Sequence, residues 1–264
     1  MKSQTYTLER FKPLSCWANR ILRIDLSAMR AWAQETAPYV PAYLGARGIA
    51  ARLCWDEYPE PVDPFDPANP LMVMTGALTG SRAPYAGRCT IYAFSPQAHP
   101  YPWFTRSSIG GRFGGELKRA GYDGLVVTGA SETPVRVSIH DDEVRILADE
   151  SAGALWGLDA LDTLAAIEAI EGKGVRSLAI GPAGERLSRI ATIQTASSSA
   201  AGQGGFGAVM GAKKLKAISV TGTGEVRLAD PDRMRALTRS LARTLKEAGR
   251  DAPFRFGDLD RLNQ

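Results

Sequence analysis

Gly202-Gln203-Gly204-Gly205-Phe206-Gly207-Ala208-Val209-Met210-Gly211-Ala212-Lys213-Lys214-Leu215 is the stretch on which the choice of fold turns. Gly202, Gly204 and Gly207 match G-x-G-x-x-G, and Glu225 follows where a dinucleotide-binding fold would place its ribose carboxylate. That fingerprint needs its first glycine at the tight turn directly after a strand, so that the pyrophosphate meets the helix N-terminus. Here residues 195–201 separate Ile193 from Gly202, and the following helix is too short for a full crossover. A nicotinamide-binding fold therefore rests on spacing alone. The weaker inference survives: glycines ahead of a helix leave backbone N–H groups free and let a ligand approach the main chain closely. A tight helix–strand packing corner without a ligand is the competing reading. Lys213 and Lys214, at the far end of the helix, are expected at the surface.

Outward from this stretch, strands outnumber helices and do not alternate with them. Residues 21–26, 71–74, 124–128, 177–180, 189–193 and 216–220 read as strands, the first by alternation of apolar and polar residues. Asp141-Asp142, between Val135/Val137/Ile139 and Val144/Ile146, reads as a tight hairpin. Residues 44–57 read as a helix closed by a proline-rich run, and 112–120 as a short helix with Lys118 and Arg119 at its cationic end and Gly121 after it. Asp159 caps a helix running to about residue 170. Asp230 and Pro231 open an amphipathic helix with Met234, Leu237, Leu241, Leu245 and Ala248 on one face, ended by Gly249. The pattern gives an α+β fold with a substantial sheet. Thr221-Gly222-Thr223-Gly224 reads as a boundary between a domain over 1–222 and the beginning of a helical domain over 223–264.

The 264 residues are 44% hydrophobic and 23% charged, which is ordinary for a globular protein, and a formal net charge of +4 is too diffuse for nucleic-acid binding. No stretch nears the roughly 20 apolar residues of a membrane span, and the polar N-terminus lacks a secretory signal. Cys16, Cys54 and Cys89 fit neither a disulfide framework nor a C-x-x-C site, so three free thiols in a reducing cytoplasm are expected. With two histidines, His99 and His140, a protein-ligated metal is not expected, and neither G-x-S-x-G, HExxH nor a P-loop occurs. Ser107-Ser108-Ile109-Gly110-Gly111 precedes a second helix, and Ala83-Pro84-Tyr85-Ala86-Gly87-Arg88 ends in an arginine. With the 202–211 glycines, these loops would form a surface for a flat, phosphate-bearing ligand, because a guanidinium grips phosphate bidentately.

Four blocks, in order, resemble one family: residues 79–88 (TGSRAPYAGR), 110–123 (GGRFGGELKRAGYD), 180–185 (IGPAGE) and 205–218 (GFGAVMGAKKLKAI). They look like the N-terminal domain of the aldehyde ferredoxin oxidoreductases, over about residues 18–222. The resemblance implies two β-sheets forming a base for a tungsten or molybdenum bis-pterin cofactor with a bridging magnesium. It further implies oxidation of aldehydes to carboxylic acids through a [4Fe-4S] cluster, with ferredoxin or an electron-transfer subunit as partner and a homodimer as one assembly. A relative reduces the ring of an aromatic acyl-CoA. Carried over by position, Arg88 would contact a pterin phosphate, and Ser108 and Gly110 the pterin or the magnesium. Ser199, Ala200, Gly202 and Gln203 would form a second cradle, with the Ala200 carbonyl reaching the magnesium. Ser108 stands where the family commonly has Asn, and Ser199 and Gln203 where it commonly has Arg, so either the cofactor sits differently, other basic residues such as Arg106 or Arg112 substitute, or this member binds it weakly. The family's cluster cysteines and catalytic carboxylate and histidine have no counterpart after Gly224, so no catalytic residue is expected here. The chain is expected to be an incomplete, inactive piece of the enzyme, with a non-catalytic pterin-binding or assembly subunit as the alternative.

Overall fold

Leu71-Met72-Val73-Met74 and Leu125-Val126-Val127 carry no polar side chain to turn toward water, and every one of these residues is buried. Strands of this kind belong inside a sheet covered on both faces. The computed structural model describes residues 2–81, 83–197 and 199–247. In chain order the elements are β1 (Gln4–Thr7), β2 (Ile21–Asp25), β3 (Arg30–Gln34), α1 (Val40–Tyr43), α2 (Ala46–Glu57), β4 (Leu71–Thr75), β5 (Cys89–Phe94) and β6 (Phe104–Ile109). There follow α3 (Phe113–Arg119), β7 (Gly124–Thr128), β8 (Val135–His140), β9 (Glu143–Leu147), α4 (Glu150–Leu155), α5 (Ala160–Glu171) and β10 (Arg176–Ala179). The last are α6 (Pro182–Glu185), β11 (Ile193–Gln194), β12 (Ala200–Ala201), α7 (Phe206–Ala212), β13 (Leu215–Thr221) and α8 (Pro231–Glu247). Among the described residues no helix is long and apolar enough to cross a membrane.

The strands form a seven-stranded sheet, β1-β9-β8-β13-β10-β11-β12, and a six-stranded sheet, β3-β2-β7-β4-β5-β6. Only β8–β13 and β2–β7 pair in parallel; the other ladders are antiparallel, which is the α+β arrangement the sequence predicts. One apolar layer serves both sheets: Leu22, Ile24, Val73, Ile91 and Val127 from one join Val137, Leu178, Ile218 and Val220 from the other. The opposite face of the six-stranded sheet packs on Ile49, Ala50 and Leu53 of α2. Leu164 and Ile167 of α5 cover part of the seven-stranded sheet.

This layering explains where the elements depart from the sequence reading. The polar member of the first strand, Arg23, is not solvated: it is buried, donates to Gln34 Oε1 and forms an ion pair with Glu57 of α2. The strand expected at 189–193 shrinks to Ile193–Gln194, because the backbone before it is used elsewhere. Ala191 N–H donates to Ser188 O at 2.8 Å, and Ala191 O accepts from Gly207 N at 3.0 Å. The helix expected over 44–57 starts at Ala46, after a break at Leu44. The Asp141-Asp142 hairpin and the caps at Asp159 and Asp230 stand as read. None of the α8 residues is buried, and Leu237 and Leu241 of its apolar stripe are exposed. Ala248, Gly249 and residues 254–264 lie outside the described residues.

Three lysines, Lys118, Lys213 and Lys216, are buried. Lys118 forms a 2.7 Å ion pair with Asp123, whose carboxylate also accepts from the backbone N–H groups of Ala18 and Asn19. Lys216 is held by Glu185 at 2.5 Å and by Leu158 O at 2.7 Å. Lys213 is a correction to the sequence reading: it is 1% exposed, and its Nζ donates to Pro67 O at 2.8 Å and Gly129 O at 3.2 Å. The helix is short, so its last turn ends inside the molecule rather than at the surface. Burial pushes the Lys213 pKa down to about 7, against the opposing pull of Asp66 and Asp25. A neutral amine has two N–H groups, enough for the two carbonyls.

Two outcomes follow from this packing. A Cβ on Gly211 would lie 1.9 Å from Gly184 O, so Gly211→Ala should lower stability by about 2 kcal/mol or more; an unchanged denaturant midpoint would refute the contact. Because the folded pKa of Lys213 lies below the unfolded value near 10.5, its burial penalises folding fully below pH 7 and not at all above about 10.5. The stability of the wild type relative to Lys213→Met should therefore rise with pH between 7 and 10. Parallel pH profiles in denaturant titrations would count against a buried titrating lysine.

Candidate functional site

The two sheets meet at their terminal strands. Strand β6 ends one sheet, β12 ends the other, and β6 lies against both β12 and the 3-10 turn Gln203–Gly205. Small residues allow this approach. A Cβ on Gly110 would sit 2.7 Å from Ser199 Oγ, and one on Gly111 would sit 2.5 Å from Ser197 Oγ. Gly87, beside Arg88, faces Gly111 O at 3.6 Å by the same construction. The loops around Arg88, Gly110 and Ser199 thus converge on one margin of the molecule.

Each loop is fixed locally. Thr195 N and Thr195 Oγ1 both donate to Ser199 O, at 2.9 and 3.2 Å, closing the turn between β11 and β12. The β11–β12 ladder sets Gln194 opposite Ala200. On the other sheet Thr90 pairs with Ser108 and Tyr92 with Arg106, so Ser108 and Arg106 share the face that carries α2. Thr79 Oγ1 donates to Arg88 O at 3.2 Å and anchors the backbone of the arginine loop. All seven residues singled out in the sequence keep solvent access. Arg88, Ala200, Gly202 and Gln203 are exposed, and Ser108, Gly110 and Ser199 are half-buried.

The glycine cluster divides into three roles. Gly207 and Gly211 are packing glycines, with backbone atoms of Ala191, Thr192 and Gly184 where a side chain would go. Gly205 has φ +65° and would drive a Cβ to 1.9 Å from Arg189 O. Gly202 differs: its φ and ψ are −86° and −34°, open to any residue, and nothing lies within 4 Å of its would-be Cβ. Neither conformation nor packing within the described residues asks for glycine there. The packing-corner reading holds for the helix. The dinucleotide reading fails on topology: β12 is separated from β13 by β10 and β11 and runs antiparallel to it, so no parallel crossover exists.

Buried and margin cations differ in their partners. The buried cations Arg20, Arg23, Arg136, Lys118 and Lys216 each have a carboxylate partner. Arg88, Arg106, Arg112 and Arg176 have none among the described residues. Arg176 escaped the sequence reading, because nothing local connects the start of β10 with the loop before α3. His99 is exposed, in a surface turn. Burial raises the Cys54 thiol to about 11 and the Cys89 thiol to about 12, so neither is a ready thiolate. Among the described residues, no group of three or more His, Cys, Asp or Glu side chains could hold a metal ion.

The family model for "Aldehyde ferredoxin oxidoreductase, N-terminal domain" matches residues 21–222. The tungsten-containing aldehyde ferredoxin oxidoreductase of Thermococcus kodakarensis is 41% identical over 229 residues, covering 86% of this chain and 37% of that protein. The enzyme of the same name from Pyrococcus furiosus is 38% identical over 229 residues, with the same coverage of each chain. A solved structure, the BamBC active-site complex of benzoyl coenzyme A reductase with 1,5-dienoyl-CoA, superposes with a TM-score of 0.82 at 32% identity, covering 88% of this chain and 35% of that one. The chain thus spans a little over a third of the length of these relatives. On sequence and on fold alike, it belongs to the aldehyde ferredoxin oxidoreductase family, of which it represents the N-terminal domain.

Proposed function

We propose that this chain is the base on which a tungsten or molybdenum bis-pterin cofactor rests, within an oxidoreductase that converts aldehydes to carboxylic acids. The observation that carries the reading is the junction of β6 and β12, where Gly202 opens onto free space and where the loop of Arg88, which has no carboxylate partner among the described residues, also arrives. A glycine that its own chain does not require suits close approach of a ligand to the backbone, and unpaired guanidiniums suit phosphate groups. The residues present fit the group: Arg88 would grip a phosphate, the hydroxyls of Ser108 and Ser199 would donate to the pterin or its phosphates, and Gly110, Gly202 and Gln203 would offer main chain. The Ala200 carbonyl would face the bridging magnesium. When bound, the cofactor supplies the two-electron redox chemistry; this chain's residues hold it, orient it and neutralise its charge. Electrons would leave through a [4Fe-4S] cluster to ferredoxin or an electron-transfer subunit. Residues 1–222 form the cofactor domain in this reading, and 223–264 begin a helical domain, which accords with the uncovered apolar stripe of α8.

Likeness to the benzoyl coenzyme A reductase complex favours a second reading, in which the substrate is an aromatic acyl-CoA and the chemistry is ring reduction. Assays of the full-length protein with aldehydes and with aromatic acyl-CoA esters separate the two.

The full-length protein, produced with tungstate or molybdate, is expected to contain the metal together with pterin; elemental analysis and pterin assay finding neither would remove the proposal. Arg88→Gln should lower pterin retention about tenfold or more, the worth of one charge-assisted phosphate contact, without shifting the unfolding midpoint. Unchanged retention would take Arg88 out of the cradle.

A further inference from the structure

Behind the Gly110-Gly111 turn lies a hollow of about 320 Å³ that the proposed cofactor cradle does not use, lined by Arg112, Phe113, Arg176, Thr195 and Ser197 among others. Arg112 and Arg176 both line it, and neither has a carboxylate partner among the described residues. The Arg176 Nη1 donates to Val175 O at 3.0 Å, but its Nε is buried and has no acceptor. Thr195 Oγ1 spends its proton on Ser199 O, and Ser197, 3.0 Å away, keeps a hydroxyl proton that can rotate toward a ligand. An orphaned N–H and two like charges beside one cavity are both unfavourable without a counter-ion. Phe113 lends the cavity an apolar wall, which strengthens charge–dipole interactions inside.

We propose that this hollow is a binding site for a phosphate-type oxyanion, held by Arg112 and Arg176 with the hydroxyl of Ser197. Two guanidiniums and a hydroxyl on separate segments offer donors from more directions than the two oxygens of a carboxylate can use, which favours a tetrahedral anion. The occupant is either free phosphate or the phosphate group of a larger molecule reaching over the turn. The site does not depend on the cofactor assignment at Arg88.

The test is calorimetric titration of the full-length protein with inorganic phosphate at constant ionic strength, with chloride as the control. Arg112→Gln and Arg176→Gln should each weaken phosphate binding about tenfold, while Arg88→Gln leaves it unchanged. Arg112 is exposed, so its variant keeps the test valid even if Arg176→Gln impairs folding. Pterin content of the same preparations identifies the source. A fall in pterin retention with Arg176→Gln points to a cofactor phosphate, and unchanged retention with weakened phosphate binding points to the free anion. No phosphate binding beyond chloride, or equal affinity in all the variants, overturns the site. Loss of pterin with Arg88→Gln, together with phosphate binding that neither Arg112→Gln nor Arg176→Gln weakens, would leave the cradle standing while removing this inference.

Discussion

The backbone-to-backbone contact between α6 and α7 is the constraint on which the functional margin depends. Gly184 and Gly211 bring the two short helices so close that a methyl group on either would strike main chain of the other helix within 2.7 Å, and one on Gly207 would strike Thr192 O at 2.5 Å. That contact seats α7, and with it the 3-10 turn and β12 on its N-terminal side. Glu185 of α6 then reaches across to Lys216 of β13 and to the backbone N–H of Gly157, tying the helix pair to the sheet from the other side. Only with α7 held there does β12 arrive at the edge strand of the other sheet. Neither helix is long enough to be stable alone, so tertiary contact supplies what local propensity cannot.

Electrostatics divides the molecule in the same way. In the interior every large buried cation is answered: Lys118 by Asp123, Lys216 by Glu185, and Lys213 by two carbonyls and a lowered pKa. Such groups add little net stability but are costly to leave half-made, so they fix which segments lie together. At the β6–β12 margin the exposed Arg88, Arg106 and Arg112 have no carboxylate partner among the described residues.

The family and most of the elements were legible in the sequence, because they are written in short-range chemistry. The Asp141-Asp142 turn between alternating runs, the Asp159 cap, Gly121 after the cationic end of α3 and the unbroken apolar run of β4 each specify local structure without reference to the rest of the chain. The seven candidate site residues could be named from motif order, and three glycine-bearing or arginine-bearing loops could be recognised as ligand-like. Burial was not legible where a polar residue sits in a two-sided layer: Lys213 read as a surface residue and Arg23 only as the polar member of an alternating strand, because nothing in the sequence says that a carbonyl pair or a helix will cover them.

By itself, then, the sequence determined the secondary elements, the α+β class and the small-residue loops, all set by hydrogen bonding, periodicity and steric freedom over a few residues. Tertiary structure alone decided that those loops meet, that Gly202 faces open space while Gly207 and Gly211 face backbone, and that Arg112 and Arg176 line one hollow. The physical reason is that these are contacts between residues far apart in the chain, where proximity follows from sheet order and helix packing and leaves no mark on the spacing of any one segment.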